Sequence, residues 1–122
     1  MSTKSPECWA IDPQARGLRV EVSAGQSFLL PFDQFAYSEL TTDGKEQRLQ
    51  IHFATHDVSI RGQNLRRIET AMQRMELSFI TKMPANYQTI VTQGQPLILK
   101  IEIAQSASGF GGDNSSRETL RA

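Results

Sequence analysis

The stretch 48–82, RLQIHFATHDVSIRGQNLRRIETAMQRMELSFITK, constrains the fold more than any other part of the chain. It reads strand, turn, strand, glycine, helix, strand. Leu49, Ile51 and Phe53 alternate with Arg48, Gln50 and His52. A period of two marks a strand with one buried face. Val58 and Ile60 alternate with Asp57, Ser59 and Arg61 in the same way. A four-residue loop at 54–57 sets Phe53 opposite Val58 and Ile51 opposite Ile60. All the apolar side chains of the hairpin then share one face, an arrangement that a one-residue slip destroys. On the other face, His52 is expected opposite Ser59 and Gln50 opposite Arg61.

Gly62 is expected to end the second strand. The direction changes sharply there, so Gly62 should take a positive φ or pack its Cα against a neighbouring backbone. Asn64 is the expected N-cap, its side-chain oxygen accepting an orphan amide of the first turn. Leu65, Ile68, Ala71, Met72 and Met75 then recur at helical spacing, with Arg66, Arg67, Thr70, Gln73 and Arg74 on the opposite face. Another strand pattern, 77–82, follows almost at once, so the chain turns back onto the sheet. Through Val58, Ile60, Gly62, Leu65 and Ile68 this stretch resembles short bacterial proteins of uncharacterised function, in which a strand hairpin leads into a G-x-x-L helix start. The resemblance spans about a third of the chain and implies no site.

Elsewhere the strand signals are shorter. Residues 1–17 read as an N-terminal extension in which Cys8, Trp9, Ala10 and Ile11 form an apolar patch, with the tryptophan laid against the domain. Leu18, Val20 and Val22 alternate with polar neighbours. Residues 27–32 read as a buried strand that Pro31 confines to an edge or an end, because proline donates nothing to a ladder. A strand is expected at 35–40, before the Asp43-Gly44 turn signal, and a short one at 89–92. Leu97, Leu99, Ile101 and Ile103 mark the cleanest strand of the second half. The domain is expected over 18–104, and 105–122, rich in Ser, Gly, Asn and Asp, reads as a flexible tail. The expected fold is α+β: a mainly antiparallel curved sheet, or a partly closed barrel, of about six or seven strands with one helix packed on it.

Composition bounds the function. The formal net charge is zero, which counts against dedicated nucleic-acid or membrane binding. The single cysteine excludes an internal disulfide and a multi-cysteine metal site. No apolar run reaches membrane-spanning length, and the first residues carry no signal core. The expected setting is the cytoplasm.

Three candidate surfaces stand out. His52, His56 and Asp57 are the tempting catalytic or metal cluster, but a surface histidine and an Asx-type turn account for the same residues. Arg61, Arg66, Arg67 and Arg74 form a local basic run suited to phosphates, yet no stacking aromatic is expected on that helix face. Phe28, Leu30, Phe32, Phe35 and Tyr37 concentrate apolar area in a short segment, as a core or as an interaction patch. The expectation is a non-catalytic accessory or interaction domain that self-associates or binds another protein, with no cofactor and no metal. A nucleic-acid-binding module on the arginine face is the first alternative. A small enzyme or metal site at His52, His56 and Asp57 is the second.

Overall fold

The computed structural model describes residues 8–84 and 94–106. Within them the chain runs β1 (Trp9–Ile11), β2 (Gly17–Ser23), β3 (Gln26–Pro31), a 3-10 turn (Phe32–Gln34), β4 (Phe35–Asp43), β5 (Glu46–Phe53), β6 (His56–Gln63), α1 (Arg66–Gln73), β7 (Leu77–Thr81) and β8 (Leu97–Gln105). The α+β reading holds. The eight strands form two four-stranded sheets, β1-β7-β2-β3 and β4-β5-β6-β8, in place of one curved sheet. Every pairing is antiparallel except β2 with β7, which are separated in sequence by β3, three strands of the second sheet (β4, β5 and β6) and the helix. The strand expected at 89–92 and the tail beyond residue 106 lie outside the described residues.

The two sheets share one core. Leu18, Val20, Leu30, Leu77 and Ile80 from the first sheet join Leu49, Ile51, Val58, Ile60 and Ile98 from the second. Helix α1 touches β4 in one sheet and β7 in the other, and it adds Ile68, Ala71 and Met72 to that cluster. Burial of Ile68 and Met72 contributes roughly 1.5–3 kcal/mol each before entropy.

The hairpin keeps the expected faces but not the expected pairs. Ile51 lies opposite Val58 and Leu49 opposite Ile60. The shift is two residues, and a shift of two leaves every side chain on its original face. The connection is therefore the two residues Ala54 and Thr55. His52 consequently faces Asp57, not Ser59, and Gln50 faces Ser59, not Arg61.

The corner before the helix also differs. Gly62 does not end a strand; β6 runs through it to Gln63. Its φ is not positive, and the residue that takes the left-handed turn is Asn64, with φ 57°. The other expectation for Gly62 holds. A Cβ there would lie 1.8 Å from the Leu97 carbonyl oxygen. The cause is a bulge: β8 pairs Lys100 with Arg61 and then Ile98 with Gly62, so Leu99 is an extra residue that carries the β8 main chain over the glycine.

Asn64 is not the N-cap. With left-handed backbone it sits before Leu65, and its side-chain Nδ2 donates to the Gln95 carbonyl at 3.1 Å. The orphan Leu65 amide donates instead to Oε1 of Gln47 on β5, at 2.7 Å, so the cap comes from a neighbouring strand. At the other end Met75 adopts φ 59° and is exposed, where the helical spacing had placed it in the core. The helix has already stopped: the Met75 amide returns to the Met72 carbonyl at 2.9 Å and the Glu76 amide to Ala71 at 2.9 Å. This is the left-handed helix ending usually given to glycine.

The strand read as buried at 27–32 is an edge. In β3 only Leu30 is buried, and Leu29 is 61% exposed. Pro31 ends the strand, as its missing donor requires.

Candidate functional site

The four arginines do not form one surface. Arg61 projects from β6 on the outer face of the second sheet, between Arg48 on β5 and Lys100 on β8. Like charges in adjacent register positions repel, and carboxylates offset them here. Glu46 lies 3.8 Å from Arg61, and Glu102 lies 3.3 Å from Lys100. That row is close to neutral and opens onto solvent.

Arg66, Arg67 and Arg74 sit elsewhere, on the exposed side of α1. They border an open groove of about 380 Å³ whose opposite wall is β1. Trp9 and Ile11 supply that wall, and Thr70, Ala71 and Glu76 complete the lining. The Arg67 guanidinium lies 5.7 Å from the centre of the Trp9 ring, within cation–π range. Its Nη1 also donates to Oε1 of Gln95 at 3.5 Å. Arg66 is 3.9 Å from Glu69, one turn along the helix. Arg74 has no ion-pair partner among the described residues. The expectation that this helix face lacks an aromatic neighbour is thus corrected. The aromatic comes from β1, a strand in the segment read as an extension.

Strand β1 reaches this position because it pairs with β7, Trp9 opposite Ile80 and Ala10 opposite Phe79. Its anchors alternate. The Thr81 amide donates to the Cys8 carbonyl at 2.8 Å, and the Asp12 amide donates to the Glu76 carbonyl at 2.8 Å. The Cys8 thiol, buried, donates to the Pro96 carbonyl at 3.5 Å. In an antiparallel strand the main-chain groups of successive residues point to opposite sides. Cys8, Ala10 and Asp12 turn toward β7, so the main-chain groups of Trp9 and Ile11 turn toward the open edge. Among the described residues β1 ends its sheet, so no described strand pairs with that side. Ile11 is 51% exposed.

The histidine cluster is divided by the sheet. Tyr37, His52 and Asp57 occupy one cross-strand row on the outer face. Nδ1 of His52 lies 2.9 Å from Oδ1 of Asp57, and the Tyr37 ring stacks on the imidazole at 4.4 Å between centroids. His56 is one residue from Asp57, so strand alternation turns it to the other face. There it meets the Phe28 ring at 5.7 Å and Oγ1 of Thr55 at 2.9 Å. No group of three or more His, Cys, Asp or Glu side chains suited to a metal forms among the described residues. The row therefore reads as a cross-strand packing contact.

The apolar segment 28–37 is likewise dispersed. Leu30 belongs to the core, and Phe32 and Phe35 pack partly against it, Phe35 edge-on to Phe53 at 5.8 Å. Phe28 is half-buried beside His56, and Tyr37, 57% exposed, lies over His52. Leu29 and Tyr37 are the large exposed members of this stretch, and they belong to different sheets. No described helix is long and apolar enough to cross a membrane. No protein-family model, curated protein or solved structure matches the chain.

Proposed function

We propose that the chain is a non-catalytic interaction domain, acting in the cytoplasm, whose partner surface is the groove between β1 and α1. The observation that carries this reading is the juxtaposition of Trp9 and half-exposed Ile11 with three arginines across an open groove. Aromatic side chains and arginine are the residue types enriched where proteins bind proteins. Self-association through residues 28–37 has less behind it, because Leu29 and Tyr37 alone of that stretch offer large exposed apolar area. A photo-crosslinking side chain placed at Ile11, and in a separate variant at Glu39 on the outer face of the second sheet, tests the reading in cells that make the protein. Adducts formed from position 11 and not from position 39 support it. Equal labelling from both, or none from position 11, counts against it.

Nucleic-acid binding is the second reading, favoured by one observation: Trp9 supplies the stacking platform beside Arg67. Glu69 and Glu76 on the same rim oppose it. Phosphate binding by the arginines would be strongly salt-dependent. A gel shift with oligothymidylate at low salt that vanishes in Arg66→Glu/Arg67→Glu supports this reading, and no shift at low salt removes it.

A further inference from the structure

Three features outside the core invite a role: the Tyr37–His52–Asp57 row, the Arg48–Arg61–Lys100 row, and the open edge of β1. The first lacks a reacting partner, and carboxylates offset the second. The third combines outward main-chain groups, apolar side chains and charge. We propose that β1 accepts an added strand from an acidic, extended segment of a partner protein, laid between β1 and α1. This rests on the groove being the partner surface and names the partner's chemistry.

The argument begins with the main chain. Ala10 is opposite Phe79, while the Cys8 carbonyl and the Asp12 amide are held by β7. Trp9 and Ile11 therefore present an amide and a carbonyl each to the vacant side. Among the described residues β1 is the outermost strand of its sheet, and such an edge pairs readily with another extended chain. The side chains then specify what that chain carries. Trp9 and Ile11 share one face of β1, and that face lines the groove. Residues of the incoming strand that lie beside them share this face and meet Arg66, Arg67 and Arg74. With Arg66 offset by Glu69 beside it, Arg67 and Arg74 against the single glutamate of the lining select carboxylates at alternate positions. Arg67, resting on Trp9 and Gln95, and Arg74, with no ion pair among the described residues, are placed to take them. The charge that makes the whole chain neutral lies mainly elsewhere, so the local complement is acidic although the net charge is zero.

A phage-displayed library of random peptides about ten residues long, panned against the full chain, tests the proposal. The expected winners carry Asp or Glu at alternate positions. With a synthetic winner bound, amide exchange at Trp9 and Ile11 slows, and Arg66→Glu/Arg67→Glu/Arg74→Glu weakens binding by about tenfold or more. Ile11→Pro, which removes an outward amide on the side where no described strand pairs, weakens binding while the melting temperature holds. Winners without acidic alternation, or acidic winners that leave both amides exchanging as before, overturn the strand addition. If oligothymidylate binds and no peptide does, the proposal falls and the nucleic-acid reading of the same groove stands. If nothing perturbs groove resonances, the groove reading falls with it. A dimer joined through β1 in light scattering and cross-strand exchange data assigns the edge to a second copy and also overturns the proposal.

Discussion

Replacing Gly62 by alanine adds one carbon, and its cost follows from where that carbon goes. On the present backbone it lies 1.8 Å from the Leu97 carbonyl oxygen, 2.9 Å from the Leu97 carbonyl carbon and 3.2 Å from Ile98 Cα. Non-bonded carbon and oxygen approach to about 3.3 Å, so β8 must retreat by about 1.5 Å. Every colliding atom is main chain, and no rotamer change relieves it. The retreat strains the ladder beside the Leu99 bulge. Overpacking costs about 1–3 kcal/mol, and two weakened ladder bonds add about 0.5–1.5 kcal/mol each. The expected loss is about 2–6 kcal/mol, a large part of a typical domain's stability of about 5–15 kcal/mol. Urea unfolding followed by far-UV circular dichroism measures it, with the midpoint as the readout. Gly62→Asn and Gly62→Val should cost at least as much as Gly62→Ala, because the collision is at Cβ. A loss under about 0.5 kcal/mol for alanine refutes the close approach. An asparagine variant at least about 1 kcal/mol better than alanine refutes it too, since that pattern belongs to a left-handed backbone.

Three further substitutions test the elements around this corner. Gln47→Ala removes the acceptor of the Leu65 amide and should cost about 1 kcal/mol in urea unfolding, with Gln47→Glu retaining most of the stability. Met75→Gly relieves a side chain held at φ 59° and exposed, so the melting temperature should rise by an amount equivalent to about 1 kcal/mol; a fall would show that the Met75 side chain packs. Ile60→Asp puts an unpaired charge at a fully buried position and should abolish folding, so a native circular dichroism spectrum would contradict the burial of this hairpin face.

Periodicity carried the faces of this fold and little else. Leu49, Ile51, Val58 and Ile60 announce their burial because alternation survives a two-residue change of pairing. The pairing itself depended on the loop, and Ala54-Thr55 carries none of the Asn-Gly or Asp-Gly chemistry that signals a two-residue connection. By contrast Asp43-Gly44 does, and Gly44 closes its turn with φ 66°. Gly62 looked like a turn residue because glycine serves two purposes, positive φ and close approach, which a sequence does not separate. Asn64 took the turn and Gly62 the approach. Met75 continued the helical spacing past a point where a non-glycine residue took the left-handed stop. The arginines were visible as a cluster, but sheet and helix geometry divided them. Trp9 and Arg67 are far apart in sequence, and β1, with three residues, is too short to show a period. Their meeting depends on which edge of β7 was vacant, a property of the sheet order and not of any local pattern.

Amide hydrogen exchange in the free protein tests the central claim that β1 keeps an open edge beside α1. Asp12 and Thr81 donate across β1 and β7, each at 2.8 Å, and serve as internal references for fraying of the strand. The account expects Trp9 and Ile11 to exchange about a hundredfold faster than both. Protection of Trp9 and Ile11 equal to that of Asp12 and Thr81 would mean that the edge is already occupied, and would contradict it.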